Sequence, residues 1–221
     1  SLHPIVHIHR DAQGKVLRSG GTGKPSQESY QLYLLEDPLD AAEAVELTEA
    51  VGRVLADVVL ATDDYAALRK KAEGMAEYIT RLSHDASLPP ERALEMLEYA
   101  EFLKWLGEGN FVFLGYREYT IRDDKLSIDK DSSLGILRGT AKTSNYLEPV
   151  PLAELPENLR QRITQGPMMV VTKSNAEATV HRPVRMDYVG IKRSEGVELR
   201  LLGLFTSSAL STPCKDIPIL R

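Results

Sequence analysis

The sequence changes character once, between Pro89 and Ile121, and that change constrains the fold more than any other feature. Over residues 91–108 the charges fall at Glu91, Glu95, Glu98, Glu101, Lys104 and Glu108. Met96, Tyr99, Ala100, Leu103 and Leu106 fill the opposite stripe. Steps of three and four are the helical period, so a helix here has one apolar face. Pro90 suits the first helical position, and Gly107 or Gly109 supplies the left-handed residue that ends it. From Phe111 the sequence runs Phe-Val-Phe-Leu-Gly-Tyr-Arg-Glu-Tyr. Aromatic and β-branched residues on both faces predict a strand covered on two sides at its start and solvated at its end. The chain reads as mostly helix before this junction and mostly strand after it.

Upstream, residues 4–10 alternate as a strand and residues 11–14 carry a turn signal. Gly20-Gly21-Thr22-Gly23-Lys24 has the composition of a phosphate-cradling loop. The spacing fails, because Arg18 stands where the motif needs Gly and Lys24 precedes Pro25 instead of Ser or Thr. A plain loop is the better reading. Residues 30–35 read as a second strand. Asp37-Pro38 then opens a helix with Ala44, Leu47, Val51, Val54 and Val58 as its buried stripe, and Thr62-Asp63-Asp64 breaks it. Beyond the break Tyr65, Leu68, Ala72, Met75, Ile79 and Leu82 form a nearly heptad seam that calls for a packing partner. With 91–108 these make three consecutive helices, and 61–109 reads as a helical connector.

Downstream, Asp123-Asp124-Lys125 is a turn, 126–128 a returning strand and 134–137 a further short strand. Leu152, Leu155, Leu159 and Ile163 mark a short helix ended by Gly166-Pro167. Residues 168–172, 186–192 and 197–206 are strands, the last two joined across Ser194-Glu195-Gly196 as a hairpin. The predicted class is therefore α+β. This order is that of a PAS-like antiparallel five-stranded domain over 110–221, whereas an ACT-like βαββαβ order fits this half less well.

A formal net charge of −5, with no basic stripe interleaved with aromatics, argues against a nucleic-acid partner. No apolar run approaches the roughly 18–20 residues of a membrane span. The single Cys214 cannot form an internal disulfide, which suits a reducing cytoplasm. The first residue is not Met and the last stretch, 217–220, is apolar, so the chain reads as a piece of something longer.

Chemistry is sparse. His181-Arg182-Pro183 followed by Asp187-Tyr188 offers a histidine and a carboxylate suited to acid–base work. Pro183 separates the two, and no Ser or Cys nucleophile has a recognisable setting, so a hydrolase built on His181 lacks its key group. A His capping a strand is the plainer account. Lys173 and Asn175, just after an apolar strand, suit an anionic ligand or a solvated strand end. No metal-ligand spacing, dinucleotide fingerprint or calcium loop is present.

Several stretches together resemble the large bacterial NAD-dependent glutamate dehydrogenases. They are His3-Pro4-Ile5-Val6 through Arg10-Asp11 to Gly14; Val54-Leu55-Ala56-Asp57-Val58; Phe102-Leu103-Lys104-Trp105-Leu106 with Asn110 through Tyr119; and Leu134-Gly135-Ile136-Leu137-Arg138. Val171-Thr172-Lys173-Ser174-Asn175, Val180-His181-Arg182-Pro183, Asp187 through Arg193, Leu202 through Ala209 and Asp216-Ile217-Pro218 carry it furthest. Tyr65 departs from the family, which has Trp after its first long helix; that touches packing only. The resemblance implies a non-catalytic regulatory or assembly segment from the N-terminal region, with 1–60 the tail of an ACT-like domain. It also implies that NAD is bound elsewhere in the parent, an oligomer whose other domains are this segment's partners. No catalytic, cofactor or metal residue carries over. Lys173, Asn175, His181 and Arg182 remain as candidate ligand or domain contacts. The alternative is an independent small-molecule-sensing module of ACT or PAS type.

Overall fold

A computed structural model describes residues 4–17, 25–139, 146, 148–193 and 196–220. The chain divides into two compact units, 1–49 and 50–221. In the first, β1 (Ile5–Ile8) pairs antiparallel with β2 (Ser26–Ser29). The Arg10 guanidinium clasps the Glu28 carboxylate at 2.5 and 2.6 Å and holds its pKa down to about 2. The second strand thus lies ahead of 30–35, where it was expected. Side-chain propensity favoured the Tyr-Leu run, but the described ladder with β1 runs from Ile8↔Ser26 to Ile5↔Ser29, and the Tyr30 N–H still donates to the Pro4 carbonyl at 2.9 Å. The glycine-rich 18–24 falls outside the described residues, and the loop reading with it.

Helix α1 (Ala41–Asp63) starts three residues later than Asp37-Pro38 suggested. Asp40 accepts the Ala42 and Glu43 N–H groups at 2.8 and 2.9 Å, and Glu43 reaches back to the Asp40 N–H at 2.9 Å. This reciprocal cap satisfies donors that the helix itself leaves open. The stripe expected to be buried is not: Ala44, Leu47, Val51 and Val54 are exposed and Val58 is half-buried. The helix is anchored through its last turns, where Asp57 accepts the Thr179 hydroxyl at 2.6 Å and Ala61 is buried.

The second unit is built on a six-stranded antiparallel sheet of order β5-β4-β3-β8-β7-β6. Its strands are β3 (Phe111–Arg122), β4 (Lys125–Gly135), β5 (Val150–Pro151), β6 (Met169–Glu177), β7 (Arg185–Arg193) and β8 (Val197–Phe205). That is one strand more than expected, the extra one being the two-residue β5 at the edge. Leu134, read as part of a separate strand, ends β4, and Ile136–Gly139 forms the short helix α4. The β7–β8 hairpin pairs from Asp187↔Gly203 to Arg193↔Val197, as expected of strands joined by a short turn.

Helices α2 (Tyr65–Ser83) and α3 (Pro90–Trp105) lie on one face of this sheet. Leu68, Ala72, Met75 and Ile79 of the predicted seam are buried, while Tyr65 is exposed and Leu82 half-buried. They share one core with Met96, Ala100, Leu103 and Leu106 and with Phe111, Phe113, Tyr116, Val189, Ile191 and Leu201 from the strands. The segment read as a connector is therefore part of the sheet's own core. Gly109, at φ +90°, turns the chain out of α3 into β3, a conformation that only glycine takes without strain. The opposite face is covered by α4, by α5 (Glu157–Gln165) and by the end of α1, through Ile136, Leu155, Ile163, Ala178 and Ala61. Cover on both sides runs further along β3 than its alternation implied: Arg117 and Tyr119 are each only 3% exposed.

A β-bulge interrupts β3 between Phe113 and Gly115 where it pairs with β8. A Cβ built on Gly203 would stand 2.1 Å from the Val112 carbonyl oxygen, and one on Gly135 2.1 Å from that of Leu114. The bulge is thus flanked by glycine on both neighbouring strands. Since the α2 seam is core, Met75→Ala and Ile79→Ala should each lower the unfolding free energy by about 2–5 kcal/mol. Urea unfolding checks this, and midpoints unchanged in both variants would contradict the burial described here.

Candidate functional site

A concavity of the second unit lies between α2 and the sheet, a cavity of about 410 Å³. A helix presents positions three and four apart on one face, so Ala67, Lys70, Lys71, Gly74, Tyr78 and Arg81 line one wall together. Tyr116 and Glu118 come from β3, Arg193 from the end of β7 and Leu199 from β8. Four cations and one carboxylate therefore face the same space.

One oxygen of the carboxylate, Oε1, takes two hydrogen bonds. Glu118 accepts the Tyr116 hydroxyl at 2.6 Å and the Lys71 ammonium at 2.9 Å, and that ammonium also sits 4.8 Å from the Tyr116 ring centroid. Burial pushes the Glu118 carboxyl up, but these two hydrogen bonds and the Lys71 charge outweigh it, and its pKa lies below the ordinary 4.5. Burial, reinforced by Glu118, pushes the Tyr116 phenol well above its usual range. Arg193 lies 5.3 Å from the Tyr78 ring centroid. Among the described residues no carboxylate forms an ion pair with Lys70, Arg81 or Arg193. One signal in the sequence pointed here. Lys70, Lys71, Tyr78 and Arg81 flank the apolar seam at helical spacing, with Gly74 set in the middle of the helix.

The residues singled out from the sequence gather elsewhere, at the end of β8. Lys173 pairs with Asp187 at 2.6 Å. The second Asp187 oxygen accepts the Phe205 N–H at 3.1 Å, and Arg182 donates to the Phe205 carbonyl at 2.8 Å. Lys173, Arg182 and Asp187 thus clamp one backbone position from three segments. Asn175 is exposed on a β6 irregularity between Lys173 and Glu177. His181 is exposed at φ +77°, and Asp187 spends its oxygens on Lys173 and Phe205. The histidine–carboxylate couple is not formed.

A further charged layer lies on the opposite face of the sheet. Glu198, 6% exposed, takes a hydrogen bond from the Tyr188 hydroxyl and one from Arg162 at 3.2 Å. Arg200 stacks between the rings of Tyr119 and Tyr188, 4.4 and 5.0 Å from their centroids. Among the described residues no three His, Cys, Asp or Glu side chains are grouped to hold a metal ion, and no helix is long and apolar enough to cross a membrane.

No family model matches the chain. Curated relatives do. An NAD-specific glutamate dehydrogenase of Pseudomonas aeruginosa is 29% identical over 98% of this chain. One of Halomonas elongata is 31% identical over 98%, and one of Mycobacterium tuberculosis is 25% identical over 99%. The chain is related to a segment of the NAD-specific glutamate dehydrogenases. It spans only about 14% of the length of the relatives it matches. Of the stretches that resemble this dehydrogenase family, 110–119 starts β3, 171–175 lies in β6 and 202–205 ends β8. The Phe205 clamp is made from the last two of these and from Arg182 and Asp187.

Two outcomes follow. A carboxyl whose folded pKa is depressed stabilises the fold above its unfolded value, and that contribution fades as the pH falls through the folded one. The melting-temperature gap between wild type and Glu118→Gln should therefore be largest near neutrality and shrink below pH 4.5; a gap independent of pH would contradict the assignment. At the clamp, Asp187→Ala should cost about 1–3 kcal/mol, because a buried N–H loses its acceptor. Lys173→Ala, at the exposed end of the pair, should cost no more than about 1 kcal/mol. Chemical denaturation of both variants separates the two.

Proposed function

We propose that this chain is a non-catalytic regulatory or assembly segment of an NAD-dependent glutamate dehydrogenase. The parent enzyme oxidatively deaminates L-glutamate to 2-oxoglutarate and ammonia with NAD in the cytoplasm, and its remaining domains are this segment's partners in a homo-oligomer. The observation that carries the reading is the disproportion of the match, nearly all of this chain against about 14% of each relative. In the same reading 1–60 is the tail of an ACT-like domain, 110–221 a PAS-like domain, and 61–109 a helical connector that packs onto the PAS-like sheet.

The chemistry of the described residues supports it. Hydride transfer needs a dinucleotide held by its pyrophosphate, usually at a glycine-rich strand-to-helix turn. Deamination needs a base for the substrate amine and a cation for its carboxylate in one cleft. Lys173 and Arg182, the cations singled out from the sequence, are both committed to the β8 clamp. The 221-residue chain should not reduce NAD in the presence of glutamate, and calorimetry with NAD should give no saturable heat that depends on Lys173 or Arg182. Micromolar NAD binding lost on mutating Lys173 or Arg182 would overturn the reading. So would an open reading frame that closes soon after Arg221.

A further inference from the structure

Gly74 sits in the middle of α2 with no packing reason to be glycine. A Cβ built there meets nothing within 4 Å, and its backbone is helical. Glycine in a helix interior is destabilising relative to alanine, so the position loses stability and gains no close approach to a neighbour. What the missing side chain does is leave the wall of the α2 cavity open. At about 410 Å³ the space lies within the roughly 300–1,000 Å³ range of small-molecule sites.

The lining charges point to the ligand. A solvated helix face normally intersperses both signs, and this chain as a whole is acidic at −5. Here Lys71 is neutralised by Glu118, whereas Lys70, Arg81 and Arg193 face the opening without an ion-pair partner among the described residues. Beneath them Met75 and Leu199 supply a buried apolar floor. Cations around the opening and an apolar base suit a molecule with acidic ends and a compact apolar body.

We propose that this cavity binds a small organic anion carrying at least two acidic charges, held by Lys70, Arg81 and Arg193 over Met75 and Leu199. The site belongs wholly to the second unit and does not depend on the activity of any parent enzyme. The acidic groups can be phosphate or carboxylate, so two probes separate the sources: AMP for a nucleoside phosphate and glutarate for a dicarboxylate. Uncharged adenosine serves as the control.

Calorimetry on the 221-residue chain should show saturable binding of AMP or of glutarate and none of adenosine. Each charge-assisted contact removed should weaken binding about tenfold, so Arg81→Gln combined with Arg193→Gln should lose about a hundredfold. Gly74→Phe should abolish binding by filling the cavity while keeping the wild-type melting temperature or raising it. Lys70→Gln with Arg81→Gln gives the same answer without touching the helix backbone. The proposal is overturned if neither probe binds at millimolar concentration. It is overturned equally if binding survives Gly74→Phe and both charge-removing pairs, or if adenosine binds as well as AMP.

Discussion

Two central strands buried on both faces set the terms for the rest of the second unit. β3 and β8 lie side by side at the middle of the sheet, with Phe111, Phe113, Leu199 and Leu201 facing one way and Leu114, Leu202 and Leu204 the other. Apolar area on both sides has to be removed from water twice over. One cover is α2 with α3, which together bring the Leu68–Ile79 seam and the Met96–Leu106 stripe onto the first face. The other is assembled from short pieces, α4, α5, the loop around Ala178 and the end of α1. The aromatic group of Phe102, Trp105, Phe111 and Phe205 joins the first cover to the sheet, with centroids 5.3–6.5 Å apart.

The second face also carries charge inside, and its value lies in specificity more than in stability. A buried ion pair gains little over well-packed apolar groups, because both partners give up water. The Arg162–Glu198–Tyr188 group with stacked Arg200 separates the two apolar clusters on that face. A slip of one residue in a strand exchanges its faces. Such a slip in β8 would carry Glu198 and Arg200 under the helices and bring Leu199 and Leu201 into the charged layer. The polar group therefore penalises every slip of β8 by an odd number of residues.

Much of the fold was legible because period and punctuation agreed. In 91–108 the charge stripe, Pro90 and Gly109 all gave one helix, and the observed one runs Pro90–Trp105. The β7–β8 hairpin was legible for the same reason. Residues 30–35 misled because strand propensity does not say where a ladder runs: the residues laddered with β1 are Ser26–Ser29, which carry no strand signature of their own. The α1 stripe misled because an apolar face reports that cover is needed, and the cover is not determined by the helix itself. Arg117 falls in the part of β3 read as solvated, and only the packing of other elements across the sheet makes it and Glu198 internal. The basic cavity was hidden for a different reason. Its residues come from four elements between Ala67 and Leu199, and the α2 charges alone read as an ordinary wet face. The Phe205 clamp was half legible, since Lys173, Arg182 and Asp187 were marked as reactive but the backbone position that gathers them carries no side-chain signature.

The bulge in β3 has a consequence for how sequences of this fold can drift. The extra residue, Leu114, turns two backbone carbonyls toward the adjoining strands, and Gly135 and Gly203 provide the space they occupy. Gly115 makes the same concession to Leu137, whose Cγ would stand 2.9 Å from a Cβ at that position. Gly135, at φ +61°, would call for glycine even without the Leu114 carbonyl, whereas Gly203 has ordinary backbone and is held to glycine by the close approach alone. Residue 203 can therefore gain a side chain only together with a change in the backbone of the strand beside it.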